Sequence, residues 1–296
     1  MKLPRLFKSP QSLRGGYVYE QVAQWFRTPA GQSLLTAEES LCEQVVAEMF
    51  GYHIVQLGVG ARGNLCKGSS IRHQVHVVEK ACASTDLAAA QFAENASSAC
   101  NPPFGETRPP LSILVSSLEE LAIANDSVDV VILHHCLDFT LQPQRILREV
   151  SRVVIPGGKI VIVGFNPWSL WGIWRMMRSH LAEVPWCGSF LSPYRVSDWL
   201  GVLDLHVEGY ESTHFGLPVG ENRWVGFNRW MGYFGTRWWR HVGASYVMVA
   251  TKQVSRITPV RPPIPAVKPS LVAIPLKTLP ASRNIANKQQ DRDERN

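Results

Sequence analysis

The sequence predicts a doubly wound α/β fold built on a mostly parallel sheet of seven strands. Three observations predict it. Five short, β-rich apolar runs punctuate residues 54–165, continuously rather than alternately apolar, the pattern of strands buried on both faces, and two further strands follow by residue 251. Helical spacing fills the stretch between the fourth and fifth runs. The first run ends in closely spaced glycines at Gly58, Gly60 and Gly63.

Two helices should precede the sheet. Val18, Val22, Trp25 and Phe26 give Tyr17–Phe26 an apolar stripe, which stops near Thr28-Pro29 because the residue before proline resists helical dihedrals. Thr36-Ala37-Glu38-Glu39 fits a capping box for a second helix, with Leu41, Val45, Val46 and Met49 inward and Gly51 placed for a left-handed terminal cap. The predicted strands are Ile54–Leu57, Val75–Val78, Leu111–Val115, Val128–Leu133, Ile160–Phe165, Leu205–Glu211 and Ala244–Thr251. Helices are predicted at Pro143–Val154 and Ser192–Gly201. Pro156-Gly157-Gly158 reads as a tight reversal between helix and strand, because proline fixes φ and glycine tolerates positive φ.

The expected organisation is an N-terminal helical extension over 1–50 and one α/β domain over 51–253, interrupted by an insertion at 214–243. A disordered tail is expected over 254–296. That tail holds seven prolines and, with 8 Lys/Arg against 3 Asp/Glu, five of the six formal positive charges. With the basicity confined there, no folded nucleic-acid face is expected. No apolar run is long enough to span a bilayer, and the six cysteines are scattered without disulfide or metal-ligand spacing. The expectation is a cytoplasmic protein with reduced thiols and no metal.

Glycine lets the backbone approach a ligand beyond the carboxyl end of a strand. Glu79, twenty-one residues after Gly58, ends the second strand, where an acid accepts both hydroxyl protons of a ribose. Gly58, Gly60 and Gly63 with Glu79 thus fit a nucleoside cofactor, and an NAD-dependent oxidoreductase satisfies the same spacing.

Leu118–Phe139 (LEELAIANDSVDVVILHHCLDF) and Leu147–Ile162 (LREVSRVVIPGGKIVI) resemble the type 11 branch of the class I S-adenosylmethionine-dependent methyltransferase superfamily. The likeness extends over Ile54–Phe165. With GKIVIVGFNPWSLWG at 158–172, the chain to about Thr251 is similar to a YafS-like bacterial group of such proteins. The resemblance implies a Rossmann-like sheet with an antiparallel last strand, S-adenosyl-L-methionine as cofactor, and methyl transfer that requires no metal. It implies that Gly58 and Gly60 lie against the methionine part, Glu79 takes the ribose hydroxyls, Ser117 and Leu118 meet adenine, and His134 faces the sulfonium. The family usually has an acid where Gln56 and Ser117 stand and a glycine where Arg62 stands. These departures leave open a non-enzymatic module that binds a partner through its Trp-rich surface.

His134, His135 and Asp138 are the catalytic candidates, since imidazole takes a proton near neutral pH. Neighbouring strand residues point to opposite faces, so at most one of the two histidines should face the cofactor. His214, Glu221, Asn222 and Arg223 would reach substrate if the insertion closes as a lid. Nine of ten tryptophans lie between Trp168 and Trp239, mixed with arginine. They suit a core beneath the lid, the preferred reading, or contact with a lipid interface. The expected acceptor is a small molecule or lipid-like compound.

Overall fold

A computed structural model describes residues 15–58, 64–79, 111–178, 183–214 and 243–253. The chain separates into units 1–255 and 256–296, and every described residue belongs to the first. The predicted tail therefore lies outside the described residues.

Seven strands form one sheet: β1 (His53–Gly58), β2 (His73–Glu79), β3 (Leu111–Ser116), β4 (Val128–His134), β5 (Val154–Phe165), β6 (Leu205–Thr213) and β7 (Ser245–Lys252). Their order is β3-β2-β1-β4-β5-β7-β6. β1 to β5 pair in parallel, while β7 runs antiparallel to both β5 and β6. The predicted doubly wound sheet with an antiparallel last strand is the observed one. Period-two alternation sends Val55, Leu57, Val131 and Leu133 to one apolar cluster and Ile54, Val130 and Ile132 to another. Both faces are buried, which is why these strands read as continuously apolar.

The helices are α1 (Gly15–Trp25), α2 (Pro29–Ala47), α3 (Pro143–Val153), α4 (Leu170–Arg178) and α5 (Pro193–Val202). α2 corrects the predicted capping box. It starts at Pro29, the position where a missing N–H costs nothing, and Thr28 is the cap, accepting from the Gly31 amide at 3.2 Å. Thr36 lies mid-helix and donates to the Gln32 carbonyl, and Glu38 is completely buried. Gly51 is not a left-handed cap either, since α2 ends on Glu48 and Gly51 sits at φ 158°. Glycine is needed there because a Cβ would fall 2.4 Å from Cβ of Asp129, whose carboxylate accepts the Tyr52 and His53 amides.

The Pro156-Gly157-Gly158 reversal lies within β5. Val128 pairs with Val154 and Val130 with Lys159, so residues 155–158 bulge out of the ladder, with Gly157 at φ 83°. The run 168–178, read only as an aromatic and basic mixture, contains α4. Trp171 and Trp186 are core residues, whereas Trp168, Ile173, Met176 and Met177 are exposed. Among the described residues no helix is long and apolar enough to cross a membrane.

Candidate functional site

The parallel register brings the carboxyl ends of four strands to one edge. Gly58 pairs with His134, and Glu79 with Ser116. Ligands of doubly wound sheets bind at this edge, where β1 and β4 lead in opposite directions. A cavity of about 260 Å³ opens there, lined by Tyr19 of α1, Glu79, Ser117, Leu118, Asp138, Thr140 and Gly188 among others. Glu79 Oε2 accepts the Leu118 amide at 2.9 Å, joining the end of β2 to the loop after β3. Burial, opposed by that hydrogen bond, pushes the Glu79 carboxyl above its ordinary range. Burial also raises the Tyr19 phenol, which stays protonated beside Thr140.

The loop after β3 is held by its own side chains. Ser116 Oγ donates to the Glu120 carbonyl at 2.8 Å and accepts the Ala122 amide, while Ser117 Oγ accepts the Glu119 amide at 3.3 Å. Gln56 does not line the cavity. It is buried, and its Oε1 accepts the Leu65 amide at 3.1 Å and the Cys66 thiol, fixing the turn that follows the glycine segment. Gly60, Arg62 and Gly63 lie outside the described residues, as do Glu221, Asn222 and Arg223 of the insertion. Its neck is described: the Ala244 amide donates to the His214 carbonyl at 2.8 Å, and His214 packs edge-on against Trp171.

Beneath the same edge lies a cluster of four buried ionisable groups. Glu38 of α2 meets His134 through Oε2 at 3.1 Å and His135 through Oε1 at 3.0 Å. The other nitrogen of His135 meets Asp138 Oδ2 at 2.9 Å, and the Phe165 amide donates to that oxygen at 3.0 Å. His135 lies past the end of β4 at φ 53°, in the left-handed region. The strand's alternation therefore does not govern it, and both imidazoles converge on Glu38. Neither histidine lines the cavity; Asp138 does. Its Oδ1 is buried without a hydrogen bond among the described residues.

Burial alone would raise the Glu38 carboxyl, but the facing imidazoles, His135 foremost, hold it well below the usual carboxylate range. Burial would lower His135, and the Glu38 charge with the Asp138 hydrogen bond instead lifts it to about 9. Burial keeps His134 low, hence neutral, and raises Asp138. Phe26 packs 5.4 Å from the His134 ring and 5.6 Å from the His135 ring, sealing the cluster on one side.

Residues 56–162 match the family model described as a methyltransferase domain. That stretch, a little over a third of the chain, runs from within β1 into β5. YafS of Escherichia coli (strain K12) is 28% identical over 183 residues, 62% of this chain and 65% of YafS, so the chain spans less than two thirds of that relative. An S-adenosylmethionine-dependent methyltransferase from Thermotoga maritima superposes with a TM-score of 0.51 at 17% identity, over 81% of this chain and 98% of that one. A chain from the complex of the Haloferax volcanii Trm112 methyltransferase activator with a methyltransferase gives 0.54 at 15% identity, over 80% and 98%. At these identities the structural likeness is one of fold.

Gly58, Glu79, Ser117 and Leu118 stand at the strand-end edge. Sequence reasoning missed Tyr19, which read only as part of a helix, and Glu38, which read only as an intervening residue of the capping box. Glu38 lies 96 residues before His134, so no local spacing could pair them.

Proposed function

We propose that the cavity binds S-adenosylmethionine and that the domain transfers its methyl group to a small-molecule or lipid-like acceptor. The observation that carries this reading is Glu79, a carboxylate on the cavity wall at the end of β2, tied to the Leu118 amide across the cleft. A ribose would bind at that carboxylate and a base beside Ser117 and Leu118, with Gly58 and Gly60 flanking the methionine part. The sulfonium supplies an electrophilic methyl carbon. An acceptor O, N or C forms the new bond to that carbon as the S–C bond breaks.

The chain's own residues align and deprotonate the acceptor. Of His134, His135 and Asp138, only Asp138 lines the cavity, and in this reading its carboxylate takes the acceptor's proton. His135 holds Asp138 in position through Oδ2, and His134, in register with Gly58, does not line the cavity. The reading places the reaction in the cytoplasm, where Cys42, Cys66, Cys136 and Cys187, all free thiols, stay reduced.

Calorimetric titration of the full chain with S-adenosylmethionine and S-adenosylhomocysteine, with NAD(H) in parallel, tests the proposal. Saturable binding of both sulfur ligands is expected. NAD(H) binding alone would replace it with an oxidoreductase. No binding of any of the three would favour a partner-binding module, a reading motivated by Gln56, whose amide is committed to Leu65 and Cys66.

A further inference from the structure

The cluster beneath the cleft has the composition of a metal centre. Glu38, His134 and His135 each offer one ligand atom, and the three atoms lie within 4.8 Å of one another in a fully buried setting. Two ligands bound at about 2.0–2.1 Å with tetrahedral angles sit roughly 3.3 Å apart. Each histidine Nε2 already faces a Glu38 oxygen at a similar distance, His134 facing Oε2 at 3.1 Å and His135 facing Oε1 at 3.0 Å, so both carboxylate oxygens are turned toward the imidazole pair. Metal-bound histidines usually donate their second ring N–H to a carboxylate, which fixes ring orientation and tautomer. His135 has this partner in Asp138 at 2.9 Å, and Asp138 is itself held by the Phe165 amide.

We propose that Glu38, His134 and His135 bind a divalent transition-metal ion of the zinc type, with Asp138 as the outer carboxylate that orients His135. His135 sits between two buried carboxylates, Glu38 at 3.0 Å and Asp138 at 2.9 Å, one placed as a fellow ligand and the other as the outer partner of its second nitrogen. Two imidazoles with one carboxylate suit zinc, iron and nickel better than calcium or magnesium, whose ligands are oxygens.

The ion would clamp α2 to the end of β4, where His134 is in register with Gly58. α1, which precedes α2 by a short turn, supplies Tyr19 to the cleft wall. Metal occupancy would therefore set how firmly the N-terminal helix pair is held beside the cleft. This inference does not depend on which cofactor the cleft binds.

The test uses the purified full chain, stripped with EDTA and titrated with Co²⁺. The expected result is about one equivalent bound, with visible d–d absorption of a low-coordinate site, displaced by Zn²⁺. His134→Ala and His135→Asn should abolish the band; asparagine tolerates the left-handed backbone at 135. Asp138→Asn should weaken binding about 10–100-fold. His53→Ala should leave it intact, and that control matters because His53 and His73 form an exposed pair with Nδ1 atoms 3.0 Å apart. As a reading that needs no variant, Zn²⁺ at a hundred times its Kd should raise the wild-type Tm by about 5–10 °C. Wild-type protein with neither a Co²⁺ spectrum nor a Tm shift would overturn the proposal. So would a band that survives both histidine substitutions and disappears with His53→Ala.

Discussion

Glu79 accepts the Leu118 amide through Oε2 at 2.9 Å, so one carboxylate both faces the cleft and straps the loop after β3 to the end of β2. Glu79→Ala removes the strap and the ribose acceptor together. Hydrogen bonds to a charged group contribute about 1.5–3 kcal/mol. The Kd for S-adenosylmethionine should therefore rise roughly 10–100-fold, at about 1.4 kcal/mol per tenfold. Glu79→Gln keeps an oxygen for Leu118 but not the charge, and should fall between wild type and Glu79→Ala. Calorimetry on the three proteins checks this, and an unchanged Kd in Glu79→Ala would remove Glu79 from the binding site.

Arg152 of α3 supports the same wall from behind. Its guanidinium donates to Glu149 at 2.8 Å, to the Leu121 and Ile123 carbonyls at 3.1 and 3.0 Å, and to the Asn125 side chain. Glu149 in turn accepts the Leu121 amide at 3.3 Å. Lysine cannot reproduce this planar fork. Arg152→Lys should lower stability by about 1–2 kcal/mol, seen as a lower urea midpoint at unchanged slope. A midpoint equal to wild type would show that the loop holds itself through Ser116 and Ser117.

Which features the sequence discloses depends on the range of the forces that create them. Ile54–Leu57 and Val128–Leu133 are recognisable because burial on both sheet faces leaves its mark on each residue in turn. Gly58 and Glu79 are recognisable because each ends a strand, and the parallel register carries strand ends to a common edge. Glu38 is not, because its environment is made by histidines nearly a hundred residues away. Locally, Thr36-Ala37-Glu38-Glu39 does look like a helix start; Thr28-Pro29 wins because proline at the first helical position is better suited still. His135 escapes for a related reason. Its positive φ depends on the turn after β4, and strand alternation mispredicts where its ring goes.

Gly172 is set by close approach rather than by dihedral freedom. A Cβ there would lie 1.9 Å from the Pro167 carbonyl oxygen, which is backbone and cannot swing away. The first turn of α4 rests on this contact, with Ser169 Oγ donating to the Asn166 carbonyl at 2.7 Å and accepting the Gly172 amide at 3.2 Å. Displacing the turn would move Trp171, which is buried against Phe165 and Trp186. Gly172→Ala should cost about 2–3 kcal/mol, a Tm loss of roughly 5–10 °C. Gly201, in the last turn of α5, has open space where its Cβ would be. Gly201→Ala should be neutral or stabilising by up to about 1 kcal/mol. Equal melting of the two variants would contradict the packing argument.

His76 gives the fold a specific acid sensitivity. It sits inside β2 at 4% exposure, and its Nε2 has no hydrogen-bond partner among the described residues. Burial pushes its pKa down from 6.5 to about 4. Because the folded value lies below the unfolded one, the unfolded chain takes up the proton first as pH falls. The stability this neutral imidazole permits is whole above pH 6.5 and drains away between there and about pH 4. The slope approaches about 1.4 kcal/mol per pH unit, for a total of roughly 3 kcal/mol. His76→Leu abolishes this contribution while keeping an apolar side chain in the strand. Urea midpoints of wild type and variant, taken from pH 7.5 to 4.5, should diverge progressively as acid is added, with the variant falling less. Carboxylates elsewhere contribute equally to both curves, so the difference isolates His76. A difference that stays flat across that window would mean the imidazole is protonated, or finds a partner, inside the fold.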